Sequence, residues 1–177
     1  LEGYETLSLA TDKSRPALMD YKGDDCLFEI DNNTSNALRN LAMANGVTLY
    51  TLLLTSFYIL LNKYTDQNDL VVGTPAANRH YQGLENIIGF FVNSLALRVQ
   101  LKSEHSIAQI LANVSEILIK AQAHQDLPFE KLVDALKVEQ DQSRHPIFQV
   151  MFGVQSFGSD IEDNVNFKPI NIGDYYK

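Results

Sequence analysis

A layered α/β fold around a mixed sheet is what the order of apolar periods in this chain predicts. Stretches with apolar residues at helical spacing alternate along the chain with shorter runs of strand character. One of those runs, Asp69 to Thr74 (DLVVGT), is continuously apolar, as a strand buried on both faces requires. Alternating helices and buried strands pack as layers. With 177 residues, 45% of them hydrophobic and 10% aromatic, the chain is long and apolar enough for one domain or a sizeable subdomain.

The elements follow in order. Ala10 to Gly23 is polar and irregular, and Arg15-Pro16 favours extended or turn backbone. Cys26 to Ile30 alternates well enough to predict a strand, with Cys26 in the core. Asp31 to Asn33 offer capping oxygens to a helix whose apolar positions are Ala37, Leu38, Leu41 and Ala42. Asn45-Gly46 suits the left-handed backbone that closes it. A second helix starts at Thr48, with Leu52, Leu53, Phe57, Leu60, Leu61 and Tyr64 at helical spacing. It is apolar on more than one face, so it is expected at the centre. After the buried strand, Pro75 to Glu85 is a loop rich in turn formers. Phe90 to Leu101 is the longest predicted strand, and Ser106 to Ala123 an amphipathic helix. Pro128 opens a short helix, where its missing N–H costs little, and Glu130 in the first turn suits the helix dipole. Ile147 to Val154 predicts a further strand, and the tail past Phe157 is loop with one weak strand.

Charge and composition exclude several roles. A net charge of −8 argues against nucleic acid, whose phosphates need clustered Lys and Arg. The single cysteine leaves no internal disulfide and fits a reducing cytoplasm. No apolar run approaches the ~20 residues that span a bilayer, which predicts no membrane role. The four histidines lack partners at metal-ligand spacing, and no glycine-rich phosphate loop occurs. Both ends of the chain read as cuts.

Three stretches mix polar residues into apolar settings. In a strand through IGFFVNSLALR (Ile88 to Arg98), Phe91, Asn93, Leu95 and Leu97 share one face. An amide there either bonds neighbouring backbone at a bulge or faces a substrate channel, because a buried one without partners costs about 1–3 kcal/mol. Arg98 reads as a strand-end salt bridge or solvated group. In HQDLPFE, His124 and Asp126 have the chemistry of an acid–base pair or of metal ligands. Their place at a helix end, with no third ligand, favours a junction in which Asp126 caps the helix that Pro128 begins. In QDQSRHPIF (Gln140 to Phe148), Arg144 has a planar fork able to brace the sheet or to act at a channel. His80 and His105 read as solvated. Gly73, Thr74 and Pro75 end the buried strand, where a ligand can approach the backbone closely or the chain simply turns.

In this order and spacing, these stretches resemble the later motifs of the condensation domains of nonribosomal peptide synthetases. IGFFVNS is similar to the family's IGxFVNT, with Ser94 keeping the hydroxyl of the usual Thr. HQDLPFE is similar to HQDxPFE, GTPAANR (Gly73 to Arg79) to GTPxANR, and QDQSRHPIF to RDxSRNPLF, with Gln140 for the leading Arg and His145 for Asn. The likeness runs from LSLATDKSRP to the strand after Pro146. The family's HHxxxDG signature does not occur in these 177 residues.

The resemblance implies half of a chloramphenicol-acetyltransferase-like fold of two subdomains, with residues 1–177 as the C-terminal subdomain. It implies peptide-bond formation between phosphopantetheine thioesters presented by donor and acceptor peptidyl carrier proteins. No cofactor or metal is implied to bind this chain directly. An adjacent adenylation domain and a role in antibiotic or other secondary-metabolite biosynthesis are implied too. The second HHxxxDG histidine, as base or as the group that positions the amine, belongs to the N-terminal subdomain. No catalytic residue is then expected in this chain, which alone is inactive and self-associates through the bare subdomain face. Asn93, Ser94 and Thr74 are expected on the tunnel wall, while His124, Asp126, Pro128, Arg144 and Pro146 are structural. The alternative is a non-catalytic module of the same fold that binds carrier proteins or an acyl ligand.

Overall fold

The computed structural model describes residues 1–84, 86–138 and 141–155. Its elements run α1 (Asn32–Ala44), α2 (Leu49–Thr65), β1 (Asp69–Ala76), β2 (Asn93–Gln100), α3 (Ile107–Ala123) and α4 (Phe129–Leu136). The helix starts are chemically specified. Asp31 accepts from the Thr34 N–H, Thr48 from Thr51, and Ser106 exchanges reciprocal bonds with Gln109, satisfying first-turn donors. Gly46, at φ 64°, turns the chain out of α1.

β1 and β2 pair antiparallel, with Val72 opposite Leu97 and Ala76 opposite Asn93. On the other edge of β1, Gly73 bridges Met151 in parallel. The Gly73 N–H donates to the Val150 carbonyl at 3.0 Å, and the Phe152 N–H to the Gly73 carbonyl at 2.9 Å. The sheet is therefore mixed, as expected. Both faces of β1 are covered. Leu70 and Val72 join Leu54, Tyr58, Leu97, Val99 and Val114 in the main core, under α2 and α3. Val71 meets Phe129, Ile147 and Phe148 on the opposite side, beside α4. α2 is central: it packs on α1, α3 and β1, and buried Tyr58 donates its hydroxyl to the Leu97 carbonyl at 2.7 Å.

The HPIF segment closes the second face through an unusual turn. Ile147 has φ 68°, a strained conformation for a β-branched residue, and the Phe148 N–H donates back to the Pro146 carbonyl at 2.8 Å. The turn lays Phe148 on Gly73. A Cβ built at Gly73 would stand 2.4 Å from the Phe148 ring, so this position accepts only glycine. His145 stacks on Phe148 with ring centroids 4.4 Å apart. A ring, not a ligand, occupies the close approach that the glycine provides.

Several expectations are corrected. Cys26 to Ile30 forms no strand, and Cys26 is exposed rather than buried, because no neighbouring strand among the described residues takes the backbone hydrogen bonds. The ordered part of the long strand begins at Asn93, and Phe90 stands 92% exposed. Strand pairing in Ile147 to Val154 is confined to the bridge at Met151. Asp126 does not cap α4: its N-cap is Pro128, with no side-chain hydrogen bond. The expected tail strand lies outside the described residues, as does Gln140.

Candidate functional site

A cleft of about 370 Å³ opens where β1 ends. Thr74 and Tyr50 form one wall, and their hydroxyls are 2.7 Å apart. Leu118 and Leu95 line the apolar interior, and Gln122 and Gln125 stand where α3 runs into the turn before α4. No Asp, Glu, Lys, Arg or His is among the described residues that line it. Burial pushes the Tyr50 hydroxyl above its ordinary pKa, with the Thr74 hydrogen bond pulling the other way, so Tyr50 is a neutral hydrogen-bonding group at physiological pH. The cleft offers hydroxyls and amides to an uncharged ligand and, by itself, no acid or base.

Asn93 begins β2 beside this cleft without lining it. Its Nδ2 donates to the carbonyls of Gln125 at 2.8 Å and Leu127 at 2.7 Å. Its Oδ1 accepts from the backbone N–H groups of Ser94 at 2.9 Å and Phe129 at 3.1 Å. Both donors are thus committed to the α3–α4 junction, and its oxygen is shared between two backbone N–H groups. Of the two roles open to this amide, bonding to backbone is the one the geometry realises. Its partners lie across the junction, however, and not only at a bulge. Ser94 pairs with Pro75, half-buried, and its hydroxyl makes no hydrogen bond among the described residues. Of Asn93, Ser94 and Thr74, only Thr74 lines the cleft.

The remaining polar motif residues bind elements to one another. His124 is the C-cap of α3. Asp126 reaches the loop between the strands: the Tyr81 hydroxyl donates to its Oδ2 at 3.1 Å, and His80 Nε2 lies 3.2 Å from its Oδ1. That carboxylate raises the pKa of the Tyr81 hydroxyl. His80 therefore contacts a carboxylate and is not merely solvated. His105 is half-buried, with its Nδ1 shielded and unpartnered among the described residues. Arg79 gathers the same loop, donating to the Leu84, Ile87 and Gly89 carbonyls and lying 4.3 Å over the Phe91 ring. Arg144 pairs with Asp141 at 2.6 Å. Those two residues and Pro146 border a larger, open hollow of about 1040 Å³. On its wall Gln149 Oε1 accepts from the Leu7 N–H and Gln149 Nε2 donates to the His145 carbonyl. No His, Cys, Asp and Glu cluster among the described residues has the geometry to hold a metal.

Tyr50 and Gln125 are the cleft residues that sequence reasoning missed. Gln125 lies inside HQDLPFE, where its neighbours drew the attention, and nothing in the spacing marks Tyr50.

A family model described as "Condensation domain" matches residues 1–172. The N-(5-amino-5-carboxypentanoyl)-L-cysteinyl-D-valine synthase of Amycolatopsis lactamdurans is 44% identical over 169 residues, 96% of this chain and 5% of that protein. Surfactin synthase subunit 1 of Bacillus subtilis (strain 168) is 42% identical over 150 residues, 85% of the chain and 4% of that protein. The chain thus spans a small fraction of the curated relatives it matches. Among solved structures, a four-domain nonribosomal peptide synthetase bound to AMP and glycine superposes with a TM-score of 0.81 at 32% identity, over 85% of this chain and 11% of that one. The X-domain from teicoplanin biosynthesis does so at 0.80 and 28%, over 85% of this chain and 34% of that one.

Proposed function

The chain belongs to the condensation-domain family, and from that premise we propose that it is the C-terminal subdomain of a peptide-bond-forming unit in a nonribosomal peptide synthetase. In that reading the amine of an acceptor aminoacyl thioester attacks the carbonyl carbon of a donor acyl thioester. A C–N bond forms and the C–S bond breaks. The donor carrier's arm leaves as a thiolate that takes the proton lost by the amine.

The observation that carries this reading is the uncharged cleft at the end of β1, with Thr74 and Tyr50 on its wall. Its lining suits the amide and thioester end of a phosphopantetheine-borne substrate. The arm's phosphate has no cation to meet there among the described lining residues, and belongs outside. The cleft holds substrate and leaves proton transfer to the preceding subdomain. The partners are then that subdomain, the donor and acceptor carrier proteins and a neighbouring adenylation domain.

The experiment is condensation by the intact synthetase that contains this chain, with its carrier proteins loaded. Ala77→Phe, which narrows the cleft from an exposed lining position, is expected to abolish dipeptidyl product while leaving thioester loading unchanged. Wild-type product from Ala77→Phe removes the cleft from the reaction.

A second reading is a binding module without chemistry. It is favoured by the absence of any Asp, Glu, Lys, Arg or His among the described cleft residues, and by a TM-score of 0.79 to an X-domain solved in complex with OxyB. Product lost from Ala77→Phe with carrier binding retained decides for the first reading.

A further inference from the structure

Asn93 directs three of its four hydrogen bonds to one object, the turn between α3 and α4, and the fourth to the Ser94 N–H beside it. The carbonyls of Gln125 and Leu127 accept from its two N–H bonds, while the Phe129 N–H donates to its oxygen. These contacts fix the turn at three alternate positions against the first residue of β2. Asn93 is itself placed by pairing with Ala76, two residues beyond Thr74. Gln125, whose carbonyl is the 2.8 Å acceptor, is half-buried and lines the cleft. Its own side-chain amide makes no hydrogen bond among the described residues. In the same lining Tyr50 and Thr74 are already bonded to each other at 2.7 Å. Gln122, one turn back on α3, is exposed and has no such anchor.

We propose that Gln125 is a substrate-contacting residue of the cleft and that Asn93 is the residue that positions it. This rests on the cleft being the substrate channel. An uncommitted amide, held from behind and facing an uncharged pocket, is suited to a ligand that is itself an amide or thioester. Gln125 can donate to a carbonyl oxygen and accept from an amide N–H of the same ligand. The ligand class is an uncharged acyl or aminoacyl thioester segment. A charged group in this cleft would lose water with no opposite charge to meet it from the described lining residues. Motifs about thirty residues apart in sequence then act as one unit: the amide of VNS anchors the turn of HQDLPFE, and the turn presents the contact. Fixing the backbone of Gln125 before the ligand arrives lowers the ordering cost of binding.

The test uses the intact synthetase with its own carrier proteins, loaded with the amino acids that its adenylation domains activate. Gln125→Leu keeps the side-chain bulk and removes both the donor and the acceptor. Single-turnover kcat/KM should fall about tenfold, the size of one neutral hydrogen bond. Asn93→Ala should fall by a similar factor, and the double variant by no more than the larger single effect, because both remove the same contact. Hydrogen exchange at the Ser94 and Phe129 amides should accelerate in Asn93→Ala and stay at wild-type rates in Gln125→Leu. Wild-type kinetics for Gln125→Leu alongside an inactive Ala77→Phe overturn this inference and leave the cleft reading intact. Wild-type kinetics for both overturn the cleft reading as well. Full multiplication of the Asn93 and Gln125 effects overturns the positioning role. If Asn93→Ala does not fold, Asn93→Asp replaces it: the carboxylate keeps the acceptor oxygen for Ser94 and Phe129 and loses the donors to Gln125 and Leu127, so the same kinetic outcomes apply while exchange at those two amides stays slow.

Discussion

The two sides of β1 and the segment before α1 are similar in composition and opposite in fate. Val71, Phe148 and Ile147 are sealed against Phe129, and Leu70 and Val72 against α2 and α3. Residues 20–31 carry Tyr21, Leu27, Phe28 and Ile30, yet every one of them is exposed, Leu27 to 94%. Asp69 to Thr74 reads as strand from its continuous apolar run, and Cys26 to Ile30 from its alternation. The difference is the partner. β1 has β2 on one edge and the Met151 bridge on the other, while residues 26–30 have no strand to pair with among the described residues. Strand propensity records fitness for a half-buried pleated surface and does not create that surface. The loop between the strands is an intermediate case. Ile88 and Phe90 are bare, but Arg79 and the Asp126 contacts hold its backbone in place.

The sharpest break of this contrast is to open the sealed side. Phe148→Ala should cost about 3–5 kcal/mol, as expected for an aromatic removed from a closed core. Gly73→Ala should cost about 1–3 kcal/mol, because the new methyl meets the Phe148 ring and the bridge to Met151 cannot shift far. The two effects are coupled: on the Phe148→Ala background, Gly73→Ala should be close to neutral. Denaturant titration of the four proteins checks this. Full additivity would mean that the ring is not what excludes a side chain at position 73.

A smaller effect separates charge from packing within the same sheet. Arg98 grips Asp69 through Nε at 2.8 Å and Nη2 at 2.5 Å, both side chains mostly buried, and donates also to the Glu2 and Gly3 carbonyls. The hydrogen bond from Arg98 holds the Asp69 carboxyl below the usual carboxylate range, against the opposing pull of burial. A depressed folded pKa contributes stability above the unfolded value of about 3.9, and that contribution fades as pH falls through the folded value. Asp69→Asn should therefore lose about 1 kcal/mol at neutral pH and converge on the wild type in acid. Unfolding curves at about pH 7 and about pH 2.5 check it. A gap between wild type and Asp69→Asn that stays constant across this range would assign the loss to packing instead.

The sealed half of the molecule was legible in the sequence for a physical reason. Caps at Asp31, Thr48 and Ser106 and the apolar run through Val71 and Val72 are local signals whose meaning does not depend on distant residues. Arg98 was legible as a strand-end salt bridge or a solvated group, and its partner Asp69, 29 residues upstream, was not. Asn93 was legible as an anomaly but not as an anchor, since its partners lie more than thirty residues downstream in a turn with no periodicity. Asp126 failed as a cap for the same reason: capping is a local rule, and the competing partners His80 and Tyr81 came from another loop. Cys26 to Ile30 failed because alternation makes a strand only where an edge accepts it, and no strand among the described residues does. Family resemblance supplied the chloramphenicol-acetyltransferase-like fold class, which periodicity alone reached only as a layered α/β sheet.

The smallest effect on folding is expected where the apolar residues are bare, and it is the most informative about assembly. Leu27 and Phe28 contribute no burial in the isolated chain, so Leu27→Lys with Phe28→Lys should change unfolding free energy by less than about 0.5 kcal/mol. The same residues, together with Ile30 and Tyr21, put apolar surface in water beside backbone that has no strand partner among the described residues. Surfaces of that kind associate, and unpaired strand edges give the association a direction. The isolated chain should therefore self-associate at high concentration, and the double lysine variant should not, because each new charge would have to be desolvated in the contact. Light scattering paired with thermal unfolding separates the two readouts. Unfolding unchanged and association lost is the expected pattern. Unfolding shifted by several kcal/mol would mean that residues 26–30 are folded into the core after all. A wild-type chain that stays strictly monomeric would mean that this face is soluble without a partner, and the contrast with β1 would then be one of packing alone.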